Sequence, residues 1–210
     1  NTGATKNPVG SLASYWKYRM DVVTPKFDNL DFSGVTSVQN AWQIAWGSSG
    51  GITSFPSNID LSNCTNFSGA WYNTLLTTFP VLDVSSGTTF NDAWVNTTIV
   101  DFPALAFPEG TSFLRTWSYA YSTHSFGACT FSLDPDDDIN FSEAWRGHSN
   151  AAFTSFPALN LSRGTNFTNT WNGCNKLTSF PAITFSTTAS DNINFTQAWR
   201  GCTALTSFPA

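Results

Sequence analysis

Asp138-Ile139-Asn140-Phe141-Ser142-Glu143-Ala144-Trp145-Arg146-Gly147 returns 54 residues later as Asn192-Ile193-Asn194-Phe195-Thr196-Gln197-Ala198-Trp199-Arg200-Gly201. Such an echo marks a repeat architecture, and its core recurs along the chain. Eight of the nine tryptophans share one frame: Trp16, Trp42, Trp71, Trp94, Trp117, Trp145, Trp171 and Trp199, spaced by 26, 29, 23, 23, 28, 26 and 28 residues. Trp46 alone falls outside it. Four positions before each stands Leu12, Val38, Phe67, Phe90, Phe113, Phe141, Phe167 or Phe195, so the unit contains Phe-x-x-Ala-Trp.

Apolar residues at i, i+3 and i+4 share one face of a helical turn, which predicts a short helix or 3₁₀ segment pressing Phe and Trp inward. Ser37, Asn66, Thr89, Ser112, Asn140, Asn166 and Asn194 precede the apolar residue, and each can cap orphan amides. Asn140 with Glu143, and Asn194 with Gln197, have the form of capping boxes.

A second block follows each Trp by 8 to 13 residues, at Phe55-Pro56, Phe79-Pro80, Phe102-Pro103, Phe156-Pro157, Phe180-Pro181 and Phe208-Pro209, with Phe27 and Phe126 in degenerate copies. Apolar and polar residues then alternate, as in Leu82-Asp83-Val84 and Leu105-Ala106-Phe107, which is the period of a half-buried strand. Proline cannot donate to a ladder, so Phe-Pro marks a corner between short extended pieces. A unit of 23 to 29 residues cannot bury its own apolar face, and about eight such units must therefore stack. This organisation gives residues 1–11 as an amino-terminal arm and 12–210 as a single repeat domain.

The unit Phe167-Thr168-Asn169-Thr170-Trp171-Asn172-Gly173-Cys174-Asn175-Lys176-Leu177-Thr178-Ser179-Phe180-Pro181 resembles BspA-like leucine-rich-repeat surface proteins, and within them the mycoplasma lipoprotein-associated repeat group. The matching parts are the aromatic pair, Gly173-Cys174 and Gly201-Cys202, the Leu-Thr-Ser that follows, and the turn near Ser85. The likeness spans about residues 12–210. With the repeat pattern it gives the expected fold class, a repeat solenoid: a leucine-rich-repeat-like right-handed stack of about eight coils with short parallel strands and short helical or 3₁₀ turns. It also implies a bacterial, phage or environmental surface protein used for adhesion or attachment, and it brings no catalytic residues.

Composition narrows the function. Charged residues make up only 11% of the chain, and Ser, Thr and Asn supply the polar surface, a pattern commoner outside cells. A net charge of −5 offers no footprint for nucleic acid and no polybasic membrane patch. No apolar run reaches the length of a membrane span. Without an initiator Met or a signal peptide, the chain is expected to be a mature product or a piece of a longer one.

Candidate sites are few. His124 and His148 are the only histidines, and neither sits in a nucleophile motif. His148, Cys174 and Cys202 all lie three residues after their Trp, so stacking places them in one column. Adjacent coils would bring Cys174 and Cys202 into disulfide range, yet a buried free-thiol ladder is the expectation. Asp134, Asp136, Asp137 and Asp138 form an acidic bulge whose oxygens are the candidate calcium ligands, although the EF-hand spacing is missing. No other metal and no cofactor are expected.

Asn63, Asn66, Asn96, Asn140, Asn160, Asn166 and Asn194 begin glycosylation sequons. Asn63, Asn96 and Asn160 are the better acceptors, because the other four are the proposed caps. Trp46, Tyr72, Tyr119 and Tyr121 lie off the Trp column and are candidates for a contact surface. Lys17, Arg19, Asp21, Lys26, Asp28 and Asp31 suit a polar terminal cap, whereas the sequence stops in mid-coil at Ala210, where a continuing chain or another subunit is expected.

The function expected is an extracellular or cell-surface, non-enzymatic structural or adhesion protein. Its partners would be copies of itself, head to tail in a filament, or a cell-surface protein or glycan. The alternative is a phage or viral fibre that binds a receptor. An ice-binding role would need a flat threonine face, which the uneven coil lengths disfavour.

Overall fold

A computed structural model describes residues 9–14, 31–43, 53–150, 152–188 and 192–208. Trp16, Trp46, Phe27 and most of the proposed polar cap lie outside the described residues. The strands are short: β1 (Val9–Ser11), β2 (Gly34–Ser37), β3 (Asp101–Phe102), β4 (Ala106–Phe107), β5 (Ser125–Phe126), β6 (Thr130–Phe131), β7 (Ile139–Asn140) and β8 (Gly164–Asn166). All pair in parallel, as β1–β2, β3–β5, β4–β6 and β7–β8. Each pairing joins one repeat to the next. Val9–Ser11, assigned from sequence to an arm, is thus already part of the stack.

One ladder runs the length of the described stack. Its rungs are Ser11 followed by Ser37, Asn66, Thr89, Ser112, Asn140, Asn166 and Asn194, the seven residues read as helix caps. The asparagines do cap amides, but those of turns. Oδ1 of Asn66, Asn140, Asn166 and Asn194 accepts the N–H two residues on, from Ser68, Ser142, Thr168 and Thr196, at 2.9–3.1 Å.

Phe-x-x-Ala-Trp is not helical, and no helix occurs among the described residues. Its third residue is left-handed in every described copy: Ser14, Asn40, Gly69, Asp92, Arg115, Glu143, Asn169 and Gln197 have φ between 53° and 61°. A left-handed residue ends a right-handed helix before it begins and makes tight turns instead. Ala70 N–H closes on Phe67 O and Tyr72 N–H on Gly69 O, while the amides between them leave the coil. Those of Phe67, Gly69, Trp71 and Asn73 donate to Thr89, Asn91, Ala93 and Val95 of the next coil at 2.8–2.9 Å. Every second N–H therefore crosses to the neighbouring repeat. The capping-box reading falls with the helix: Glu143 binds Arg146 at 2.6 Å and Gln197 binds Arg200 at 3.2 Å.

This backbone ladder fixes the coil spacing, and the side chains fill what it leaves. Trp42, Trp71, Trp94, Trp117, Trp145, Trp171 and Trp199 form one column, with successive ring centroids 4.9–5.9 Å apart and planes within 11° of parallel. The Phe-Pro phenylalanines slot edge-on between them. Phe79 lies 4.9 Å from Trp71 at 78° and 5.3 Å from Trp94 at 86°. Edge-to-face contact sets positive ring edges against negative ring faces and adds about 0.5–1.5 kcal/mol per pair beyond burial. A third column runs from Phe67 through Phe90, Phe113, Phe141 and Phe167 to Phe195. Pro103 separates β3 from β4, and Phe102 and Phe107 both point inward from these strands.

The turn glycines are needed for close packing, not for polarity. A Cβ on Gly164 would lie 2.2 Å from the ring of Phe167 in its own coil and 3.0 Å from Phe141 in the preceding one.

Candidate functional site

With the interior filled by rings, polar chemistry collects on the turn edge beside the Trp column. The left-handed positions make one row there: Asn40, Gly69, Asp92, Arg115, Glu143, Asn169 and Gln197. Gly69 is the only member without a side chain, and a cleft of about 590 Å³ opens over it. Gln39, Asn40 and Gln43 form one wall, and Asn91, Asp92 and Arg115 the other. Tyr72 and Tyr119 also line it and are half-buried.

The far wall is held rigid. Arg115 Nε and Nη2 donate to the two carboxylate oxygens of Asp92 at 2.7 and 3.0 Å, a bidentate pair between adjacent coils. The hydrogen bond to Asp92 raises the Arg115 pKa further. Asn91 Oδ1 accepts from Ser112 Oγ and Leu114 N, at 2.7 and 3.0 Å. Arg146 sits over the Tyr119 ring at 5.6 Å, and Tyr121, 50% exposed, lies 5.9 Å from that ring. Gln43 Oε1 is buried without a hydrogen-bond partner.

Among the contact candidates read from sequence, Tyr72 and Tyr119 therefore meet at one cleft, with Tyr121 beside it; Trp46 lies outside the described residues. Sequence reasoning missed Asn40, Gly69, Asp92 and Arg115. Their signal was the register: aligned on Phe, the third position of each unit forms a single row with one glycine in it.

The His–Cys column has a different purpose. His148 Nε2 lies 2.7 Å from Trp117 O, and the thiols of Cys174 and Cys202 donate to Trp145 O and Trp171 O at 3.2 and 3.1 Å. Thr74 and Thr97 serve Trp71 O and Trp94 O in the same way. Each side chain thus gives a tryptophan carbonyl a hydrogen-bond partner, and Trp171 O accepts the turn N–H of Cys174 as well, at 3.1 Å. Burial holds the His148 pKa down at about 4, against the hydrogen bond to Trp117 O, so the ring is neutral at pH 7.

All four cysteines are free thiols. A hydrogen bond with Cys202, then burial, raises the Cys174 pKa, and burial pushes Cys64 and Cys129 up to about 12. These three thiols, held protonated, are poor nucleophiles, whereas the hydrogen bond with Cys174 lowers the Cys202 pKa. His124 is exposed.

The acidic bulge is occupied from within. The Arg163 guanidinium, from the following coil, donates to the carbonyls of Pro135 and Asp137. Asp134 Oδ1 caps Asp136 N at 3.0 Å. No cluster of three metal-ligating side chains occurs among the described residues, so Asp134, Asp136, Asp137 and Asp138 do not assemble into the calcium site they suggested.

Asn63, Asn96 and Asn160 are exposed, as an acceptor requires. However, Asn63 Nδ2 donates to Ser33 O and Asn96 Nδ2 to Asn73 Oδ1, bonds a glycan would have to displace. Asn160 uses only Oδ1, on Ser162 N–H, and is the least encumbered of the three. No described helix is long and apolar enough to cross a membrane. No protein-family model, curated protein or solved structure matches the chain.

Proposed function

We propose that this chain is a non-enzymatic, extracellular structural or adhesive repeat protein. In this reading it is a right-handed, leucine-rich-repeat-like solenoid whose lateral surface meets a cell-surface protein or glycan, or further copies of itself. One observation carries the proposal: aromatic rings fill the interior continuously from Trp42 to Trp199, so any partner must be met on the outer rows of Asn, Ser, Thr and Tyr. The raised pKa of Cys174 and the lowered pKa of His148 point the same way, since burial contributes to both shifts.

Backbone hydrogen bonding supports end-to-end association. N–H groups of the Phe-x-x-Ala-Trp turns donate to the next coil, and those of the Thr65, Thr88 and Thr111 row donate to the preceding one, so a free face at either end offers both donors and acceptors to another copy. Kinship with BspA-like surface proteins is proposed on the repeat motif alone.

Two measurements test the reading together: negative-stain microscopy of the purified chain, and its retention on bacterial and animal cells. Filaments, or saturable retention on cells, are the expected results. A chain that stays monomeric and binds no cell contradicts the reading.

A further inference from the structure

We infer that the cleft over Gly69 binds a short, extended, neutral oligosaccharide lying along the stack axis; this deepens the adhesive reading and rests on it. The shape comes from one missing side chain. Neighbouring coils fill the same row with Asn40 and Asp92, while Gly69 leaves a floor across which the Asn40 amide leans, its Oδ1 only 2.1 Å from where a Cβ would stand.

The lining chemistry selects the ligand class. Planar amides of Gln39, Asn40, Gln43 and Asn91 offer paired donors and acceptors of the kind that vicinal hydroxyls match. With Asn91 Oδ1 engaged by Ser112 and Leu114, its Nδ2 hydrogens are the groups left for a ligand. The buried, unpartnered Gln43 Oε1 is an acceptor in want of a hydroxyl. Tyr72 and Tyr119 add aromatic surface with a polar tip, which suits a sugar ring having one apolar and one wet face.

Charge then separates neutral from acidic sugars. The one cation and one anion of the cleft, Arg115 and Asp92, neutralise each other through two hydrogen bonds, so no free guanidinium awaits a carboxylate. Successive coils repeat at about 4.8 Å, so an extended chain lying along the axis would span the coils that carry Gln39, Gly69 and Asn91.

The test uses the whole chain with three probes: cellohexaose, mannohexaose and hexagalacturonate, followed by saturation-transfer NMR and titration calorimetry. At least one neutral hexasaccharide is expected to bind. Gly69→Asn fills the dip with a residue that already occupies this left-handed position at Asn40 and Asn169, and should weaken binding about tenfold or more. Tyr72→Ala should do the same. Gln43→Ala, outside the left-handed row, supplies a second wall variant should Gly69→Asn lose its near-ultraviolet dichroism. Lys176→Ala, four coils from Gly69, should bind as the parent does.

Failure of both neutral probes, binding of hexagalacturonate alone, or undiminished binding by folded Gly69→Asn overturns the assignment. Retention on cells without oligosaccharide binding overturns the cleft and leaves the adhesive reading standing. Oligosaccharide binding by a chain that no cell retains does the reverse.

Discussion

Trp117→Ala is expected to destabilise the protein by about 3–5 kcal/mol, the range for removing a fully buried large aromatic. Trp117 is 2% exposed and touches rings on every side. It stacks on Trp94 and Trp145 at 5.9 and 5.1 Å, and Phe102 and Phe126 meet it edge-on at 5.6 and 5.1 Å. The coils above and below are held apart by their backbone ladder and cannot collapse into the gap. Most of the cavity therefore survives, and the cost falls at the upper end of the range.

One feature opposes the loss. The Nε1–H groups of Trp71, Trp94, Trp117, Trp145, Trp171 and Trp199 are buried with no acceptor, at about 1–3 kcal/mol for an unmade bond. Trp117→Phe deletes that donor with less volume and should cost well under half as much as Trp117→Ala. In thermal unfolding the Ala variant should melt roughly 6–20 °C below the parent. Equal losses for Phe and Ala, or no loss for either, would show that Trp117 is not packed in a column.

His148 makes stability depend on pH. Its folded pKa is about 4 against an unfolded value near 6.5, because the ring is buried and its charged form is desolvated. Above pH 6.5 both states are neutral and stability is complete. As pH falls, only the unfolded chain takes up the proton, and stability drops by up to ~1.4 kcal/mol per pH unit until the folded ring titrates near 4. The accumulated loss is about 3 kcal/mol. Urea titrations at steps between pH 7 and pH 4 measure it, with His148→Gln as the reference that removes this group while other titrations continue. The parent should lose about 3 kcal/mol more than His148→Gln across that window; parallel curves would mean that His148 is exposed to water.

Much of the stack is legible in the chain because period and spacing survive every local irregularity. Counting three residues past each Trp groups His148, Cys174 and Cys202, and they do stand in one column of carbonyl partners. The turn was misread because i, i+3 and i+4 spacing suits two consecutive tight turns as well as a helix. Asn40, Gly69, Asp92 and Asn169 are good left-handed residues and were the clue. Arg115, Glu143 and Gln197 hid it, being ordinary helix formers; the N–H groups of Arg115 and Glu143 are held in this turn by cross-coil bonds to Ser142 O and Thr168 O.

The cleft was invisible for a further reason. A site made by an absent side chain shows only once the rows are aligned in space. The acidic bulge failed in the opposite sense, since nothing in Asp134 to Asp138 announces that Arg163 of the next coil will fill it.

The central claim is that homologous positions of successive repeats are immediate neighbours. Thr36, Thr65, Thr88 and Thr111 test it from the surface: Thr88 N–H bonds to Thr65 O at 2.9 Å, and Thr111 N–H to Thr88 O at 3.0 Å. Adjacent members lie ~4.8 Å apart, within disulfide reach, and members two coils apart about 9.6 Å, beyond it. In a Cys202→Ser background, Thr65→Cys with Thr88→Cys should oxidise to an intramolecular bridge, whereas Thr65→Cys with Thr111→Cys should leave two free thiols. Bridging by the distant pair as readily as by the near one, or by neither, would contradict the stack and the function proposed from it.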